Sequence, residues 1–166
     1  QSMTLQITSC KLPVAINAYA CIMGIMKLGK KDICLAHSLR RADRVVSQIY
    51  NEFLAPLGVR VTQYSILKVI YSYREITASQ IRDVMTMDQT TVSRALKPLI
   101  RDGYIQVDQG VNKREKRLTL TSAGESLYIS GLKPWNQAQS KLRKILDQGE
   151  DEQLIKLSDK IVGRSL

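Results

Sequence analysis

The sequence predicts a mainly α-helical chain with one small β-hairpin. Three observations predict it. Apolar residues recur at helical spacing along most of residues 33–166. Two short runs, Ile105 with Val107 and Leu118 with Leu120, alternate instead with period two about a charged loop. Just ahead of them, Asp88 to Gly103 reads as one helix with a clear start, a clear stop and two unlike faces. Helix, glycine stop and hairpin in that order make a winged helix-turn-helix, flanked here by N- and C-terminal helices suited to dimerisation.

Gln1-Ser2 ahead of Met3 reads as a protease-site remnant, so 1–32 is that remnant plus an arm or helix for a partner subunit. Leu12 to Met26 is largely apolar, and Ala18-Tyr19-Ala20 before Cys21 imitates a cleavage or lipidation site. Only Lys11 gives a positive flank and Asn17 breaks the run, which is too short to span a bilayer. Asp32 offers an N-cap to a long helix from Ile33 to Leu54. Its inward positions are Ala36, Leu39, Ala42, Val46, Ile49, Tyr50, Phe53 and Leu54, opposite Arg40, Arg41, Asp43 and Arg44. Pro56 and Gly58 stop it. Thr62 is the expected cap of the next helix, Gln63 to about Arg74, with Ile66, Leu67, Ile70 and Tyr71 inward. Thr77 and Gln80 form a capping box for a short helix buried through Ile81, Val84 and Met85. Thr86-Met87 is then the turn.

The second helix of the pair starts at Asp88, whose carboxylate can accept from the free N–H groups of a first turn. Val92, Ala95, Leu96, Leu99 and Ile100 fall at i, i+3, i+4, i+7 and i+8 and form the inner strip. Thr90, Ser93, Arg94, Lys97 and Arg101 take the outer face. Pro98 should kink or loosen this helix, since an interior proline removes one backbone bond. Asp102-Gly103 ends it through a left-handed glycine. Lys113, Arg114, Lys116 and Arg117, against Glu115 alone, make the hairpin loop cationic. Short hydroxyl and amide side chains can reach base edges in a major groove, and arginine can grip guanine or phosphate with two bonds. A basic loop suits the negative minor groove. Beyond it, Thr121 or Ser122 starts a long helical stretch that Gly131 and Pro134 should bend before Trp135, Leu142, Ile145 and Leu146. Asp147 to Asp151 is a polar turn, and Leu154, Ile155, Leu157, Ile161 and Val162 mark a last amphipathic helix. Thus 33–56 and 122–166 are expected to dimerise, and 57–121 to form the DNA-binding lobe. A twofold pair of reading helices predicts a palindromic site.

Composition agrees. The 166 residues suit one domain with extended arms, and 25 basic against 15 acidic residues give +10 at pH 7, which favours a polyanionic partner. Phe53 and Trp135 alone accompany the tyrosines, so a stacking platform for single strands is missing. Cys10, Cys21 and Cys34 share no CxxC spacing, and with His37 alone they build no zinc site. They read as free thiols of a reducing cytoplasm. No metal or cofactor is expected. Nor is an enzyme: no Gly-rich phosphate loop, nucleophile elbow or carboxylate pair is present.

Three segments together resemble the MarR family of bacterial transcription regulators. They are CLAHSLRRADRVVSQIYNEFLAPLGVRVTQYSILKVI, MTMDQTTVSRALKPLIRDGYI and NKREKRLTLTSAGESL, spanning Cys34 to Leu127, with LKPWNQAQSKL a softer match. The resemblance implies an obligate dimer that binds double-stranded operator DNA, as a repressor released by a small aromatic ligand or by thiol oxidation. It places Gln89, Thr90, Thr91, Ser93, Arg94 and Lys97 at reading-helix positions. It also sets Lys113, Arg114 and Lys116 in the wing. Asn112-Lys113-Arg114 stands where the family carries Asp-x-Arg, so Arg114 inherits the wing tip while Asn112 departs from the acid. His37, Arg40, Arg41, Tyr64 and Tyr71 are candidates for a pocket between dimer helices and DNA-binding lobe. Cys34 is the candidate redox thiol, although Ala36, two residues on, is what aligns with the sensing cysteine. A winged-helix module that binds protein and not DNA is the competing expectation.

Overall fold

The computed structural model describes residues 34–109 and 116–165. The expectations resting on Cys10, Cys21, Asp32, the N-terminal arm and Asn112, Lys113 and Arg114 lie outside the described residues. The elements are α1 (Leu35–Leu54), a 3-10 turn (Ala55–Leu57), α2 (Val61–Tyr73), β1 (Ile76–Thr77), α3 (Ala78–Met85), α4 (Gln89–Arg101), β2 (Ile105–Gln109), β3 (Lys116–Leu120), α5 (Ser122–Arg143) and α6 (Glu150–Ser165). The chain divides into a unit ending at Ala42 and a second unit from Asp43 onward. The described part of the first, Cys34 to Ala42, is the opening of α1. Ala36, Leu39 and Ala42, expected inward, are exposed there. Burial along α1 begins at Val46 and is complete at Ile49, Tyr50 and Leu54.

The second unit is built on α2. Tyr64, Ile66, Leu67 and Ile70 are essentially inaccessible, packed with Ile81, Val92, Ala95, Leu96 and Leu99 from α3 and α4 and with Ile76, Ile105 and Leu118 from the strands. Burial of each large side chain is worth about 1.5–3 kcal/mol. That core fixes the outer face of α4. A second cluster joins Ile49 and Tyr50 to Ala138, with the Tyr50 and Trp135 rings 4.5 Å apart.

Three strands form the wing, in the order β1-β3-β2, all antiparallel. The hairpin register pairs Ile105 with Leu120 and Val107 with Leu118. The third strand, which pairs Ile76 with Leu118, was not expected, because two residues carry no readable alternation.

Several local expectations need correction. Helix α2 starts at Val61, so Thr62 is not its cap; the Asn51 side-chain oxygen accepts from Val61 N at 2.8 Å, and Gln63 Oε1 accepts from Arg60 N at 2.8 Å. Val84 and Ile100 are 48% and 38% exposed, so the inner strips of α3 and α4 are narrower than their spacing suggested. Val107 is 36% exposed, which leaves Ile105 as the buried anchor of β2. Helix α5 is continuous through Gly131 and Pro134, so it does not stop and resume before Trp135, and α4 likewise continues through Pro98 as its apolar spacing does. Tertiary packing on both sides holds these turns despite the missing proline N–H.

Candidate nucleic-acid interface

The reading helix is held at both ends by its own sequence. Asp88 Oδ1 accepts from Thr91 N at 2.8 Å, and Oδ2 accepts from the Thr91 hydroxyl at 2.6 Å. These bonds, side chain first and then backbone, hold the Asp88 carboxyl below its ordinary value. At the far end Gly103 takes φ 77°, a conformation glycine adopts without strain, and its N–H donates to Ile100 O. The short turn before α4 places Thr86 at φ 50°. Its N–H and that of Met87 close α3 by donating to Asp83 O and Arg82 O. The capping box expected at Thr77 and Gln80 is present, at 3.2 and 2.9 Å. Every hinge of the helix-turn-helix is therefore fastened by a named side chain or carbonyl.

Gln89, Thr90, Thr91, Ser93, Arg94 and Lys97 are all exposed on α4, while Val92, Ala95, Leu96 and Leu99 are buried. The structure thus brings six candidate reading residues onto one solvent-facing helix. Thr91 has a second duty there, since its hydroxyl proton goes to Asp88. On the wing, Lys116 is exposed at the base of β3, opposite Gln109. Lys113 and Arg114 are among the undescribed residues.

Ion pairing sorts the cations of this lobe in a way that spacing alone does not reveal. Arg74, Arg82, Arg101 and Arg117 are neutralised locally by Glu125, Asp83, Asp102 and Glu75. Arg94, Lys97 and Lys116 enter no ion pair among the described residues. Arg101 therefore drops out of the outer-face set, its guanidinium donating to both oxygens of Asp102 at 2.7 and 3.1 Å. The cations of the lobe without an ion pair among the described residues thus include Arg94 and Lys97 on α4 and Lys116 on β3, besides Arg60 ahead of α2 and Lys68, which lies over the Trp135 ring. A cleft of about 460 Å³ separates α4 from the start of α2, lined by Arg60, Thr62, Gln63, Thr91, Arg94, Ala95 and Pro98.

Two of the other candidates, Tyr64 and Tyr71, lie on α2. Tyr64 is fully buried, its hydroxyl donating to Tyr128 O at 2.9 Å, and burial pushes its pKa up to about 12. Tyr71 is half-buried, 4.5 Å from the Tyr128 ring, with the Arg74 guanidinium over it. His37, Arg40 and Arg41 are exposed on a single stretch of α1, and Cys34, a free thiol, is exposed just before it. Among the described residues no cluster of His, Cys, Asp or Glu could hold a metal, and no helix is long and apolar enough to cross a membrane.

A core-anchored helix presenting hydroxyls and free cations beside a three-strand wing defines a winged-helix DNA-binding domain, and residues 60–124 match the family model of that description. An uncharacterised helix-turn-helix transcriptional regulator of Bacillus subtilis, YwoH, is 32% identical over 94 residues, 57% of this chain and 69% of that protein. The Mycobacterium tuberculosis transcriptional regulator MosR, solved in complex with DNA, superposes with a TM-score of 0.70 at 28% identity, covering 80% of this chain and 98% of that one. A mutant form of Escherichia coli MarR, solved with operator DNA, shares the fold at a TM-score of 0.72 and 23% identity, over 81% and 98% of the two chains. The chain belongs to the winged-helix helix-turn-helix transcriptional regulators, and its fold is that of the MarR structures. That family is one of regulators, not of enzymes.

Proposed function

We propose that this chain acts in the cytoplasm as a homodimer that recognises a palindromic duplex and represses transcription there. The observation that carries this reading is the charge of the reading face: Arg94 and Lys97 on α4 and Lys116 on β3 enter no ion pair among the described residues, whereas Arg74, Arg82, Arg101 and Arg117 are each paired with an acid. Gln89, Thr90, Ser93 and Arg94 read base edges; Lys97, Lys116 and the wing residues Lys113 and Arg114 hold the backbone and minor groove. In this reading a small aromatic ligand releases the duplex, with His37, Arg40 and Arg41 as its polar contacts. Oxidation at Cys34 is a second reading, supported by the exposure of that thiol.

The test is titration with genomic duplex fragments, followed by footprinting of the tightest. Affinity should fall steeply with salt, as about six or more phosphate contacts are lost together. Arg94→Ala should cost about 1–3 kcal/mol at particular base pairs. Salt-insensitive or absent duplex binding would leave the protein-interaction reading in its place. Loss of binding on peroxide treatment in the parent chain, but not in Cys34→Ser, would make the release oxidative.

A further inference from the structure

The start of α2 carries a residue that its local structure disfavours. Arg60 occupies the N-cap position, where Ser, Thr, Asp or Asn would bind a free N–H and arginine does not. A cation there also opposes the helix dipole, which favours negative charge at that end. The capping work falls to neighbours instead: Asn51 accepts from Val61 N, and Gln63 accepts from Arg60 N, both at 2.8 Å. No acid answers the guanidinium, since Arg60 enters no ion pair among the described residues. Such a choice at a surface position points to a partner outside the chain.

The place of Arg60 identifies that partner's chemistry. It lines the cleft between α2 and the reading helix, together with Thr62, Gln63, Thr91 and Arg94. Two guanidiniums and two hydroxyls, from two helices, face one space that no acidic side chain lines. Thr91 and Arg94 belong to the outer face of α4, so a duplex lying on α4 passes its sugar-phosphate strand beside this cleft. The backbone N–H groups of Arg60 and Val61 are already occupied, which leaves recognition to the side chains.

We propose that Arg60, with Thr62 beside it, is a backbone clamp that grips a DNA phosphodiester next to the reading helix and extends the interface onto α2. The clamp rests on the DNA-binding reading above and adds to it a contact that is blind to sequence. Arginine suits it because a planar fork can hold two oxygens of one phosphate.

The probe is a duplex of arbitrary sequence, which presents phosphates without an operator, titrated across a salt series against the parent chain, Arg60→Thr, Arg60→Lys and Arg94→Ala. Arg60→Thr should weaken binding to this duplex and to a footprinted site by a similar factor, about 3–10-fold. The slope of log K against log salt should fall in magnitude by about 0.9, one phosphate contact. The same substitution installs a capping hydroxyl, so its thermal midpoint should rise. Arg60→Lys should retain the slope. Opposite movements of stability and binding are what a merely structural residue cannot give. Unchanged affinity and slope in Arg60→Thr, with salt-dependent binding by the parent, would overturn the clamp while leaving the reading helix standing. A parent chain that binds no duplex would remove both.

Discussion

Gly131 lies directly beneath the ring of Tyr64: a Cβ added there would stand 2.1 Å from Cε2 and 2.7 Å from Cζ. The contact joins α5 to α2, and so the C-terminal helices to the DNA-binding lobe. Tyr64 has no room to yield, being 1% exposed, with the Trp135 and Tyr128 rings 5.1 and 5.7 Å away. Gly131 is needed for close approach between helices, and α5 passes through it unbroken.

Gly131→Ala should therefore destabilise the chain by about 1–3 kcal/mol, the usual cost of overpacking, even though alanine is the better helix former. Urea unfolding measures it. An unchanged midpoint would mean that the Tyr64 ring moves freely, against its packing.

Tyr64 also makes an alkaline prediction. Its pKa stands at about 12 against an ordinary 10.0, with burial the larger cause and Tyr128 adding to it. The folded chain thus holds this proton more tightly than the unfolded one. The resulting stability is complete below pH 10 and is lost as pH rises toward about 12. Tyr64→Phe should remove that alkaline slope. At neutral pH it should cost about 0.5–1.5 kcal/mol for the lost bond to Tyr128 O. Melts at pH 7 and pH 11 separate the two effects.

Asp88 supplies the acid counterpart. Its carboxyl is held below the ordinary 3.8 by the bonds from the Thr91 side chain and N–H. Its contribution is present above pH 3.8 and is lost as pH falls through the lowered folded value. Asp88→Ala should lower the thermal midpoint at pH 7, with the gap to the parent closing in strong acid. Asp88→Asn keeps an acceptor oxygen and should fall between the two. A gap that persists at pH 2 would show that the cap acts through something other than its charge. The same Asp88→Ala chain should bind duplex less tightly, because fraying begins where Gln89, Thr90 and Thr91 are presented.

The reading helix was legible because its signals are local. Asp88, Thr77 with Gln80, Gly103 and Thr121 each act within four residues, and the structure uses all of them as caps or stops. What stayed hidden was set by groups distant in the chain. Asn51 caps α2 from ten residues away, and β1 exists only because Leu118 pairs with Ile76. Gly131 looked like a helix breaker because glycine is a poor helix former in isolation; its use as a gap for Tyr64 appears only in packing. The same holds for charge. Arg101 and Arg94 are alike in sequence, and only the neighbouring Asp102 carboxylate separates the neutralised one from the free one. Arg60 is inconspicuous because Thr62, two positions on, is the better capping residue by type and yet lies inside the helix.

The last helix tests assembly. On α6, Leu154, Leu157, Ile161 and Val162 recur at helical spacing and are 44%, 59%, 54% and 40% exposed. With Ile155, 59% exposed, they form an apolar face on a strongly charged chain. Burying such a face against a second copy would stabilise a dimer by about 25 cal/mol for each Å² of apolar area removed from water. Leu157→Glu places a charge at the middle of that face, where burial without a partner is costly. The variant should sediment as a monomer at micromolar concentration while keeping the helical content and folded core of the parent, since Leu157 is 59% exposed and outside the buried clusters of the described residues. Its affinity for a palindromic duplex should drop far more than for a half-site, because one reading helix can no longer position the other one DNA turn away. A Leu157→Glu chain that remains dimeric and binds the palindrome unchanged would move the subunit interface off α6.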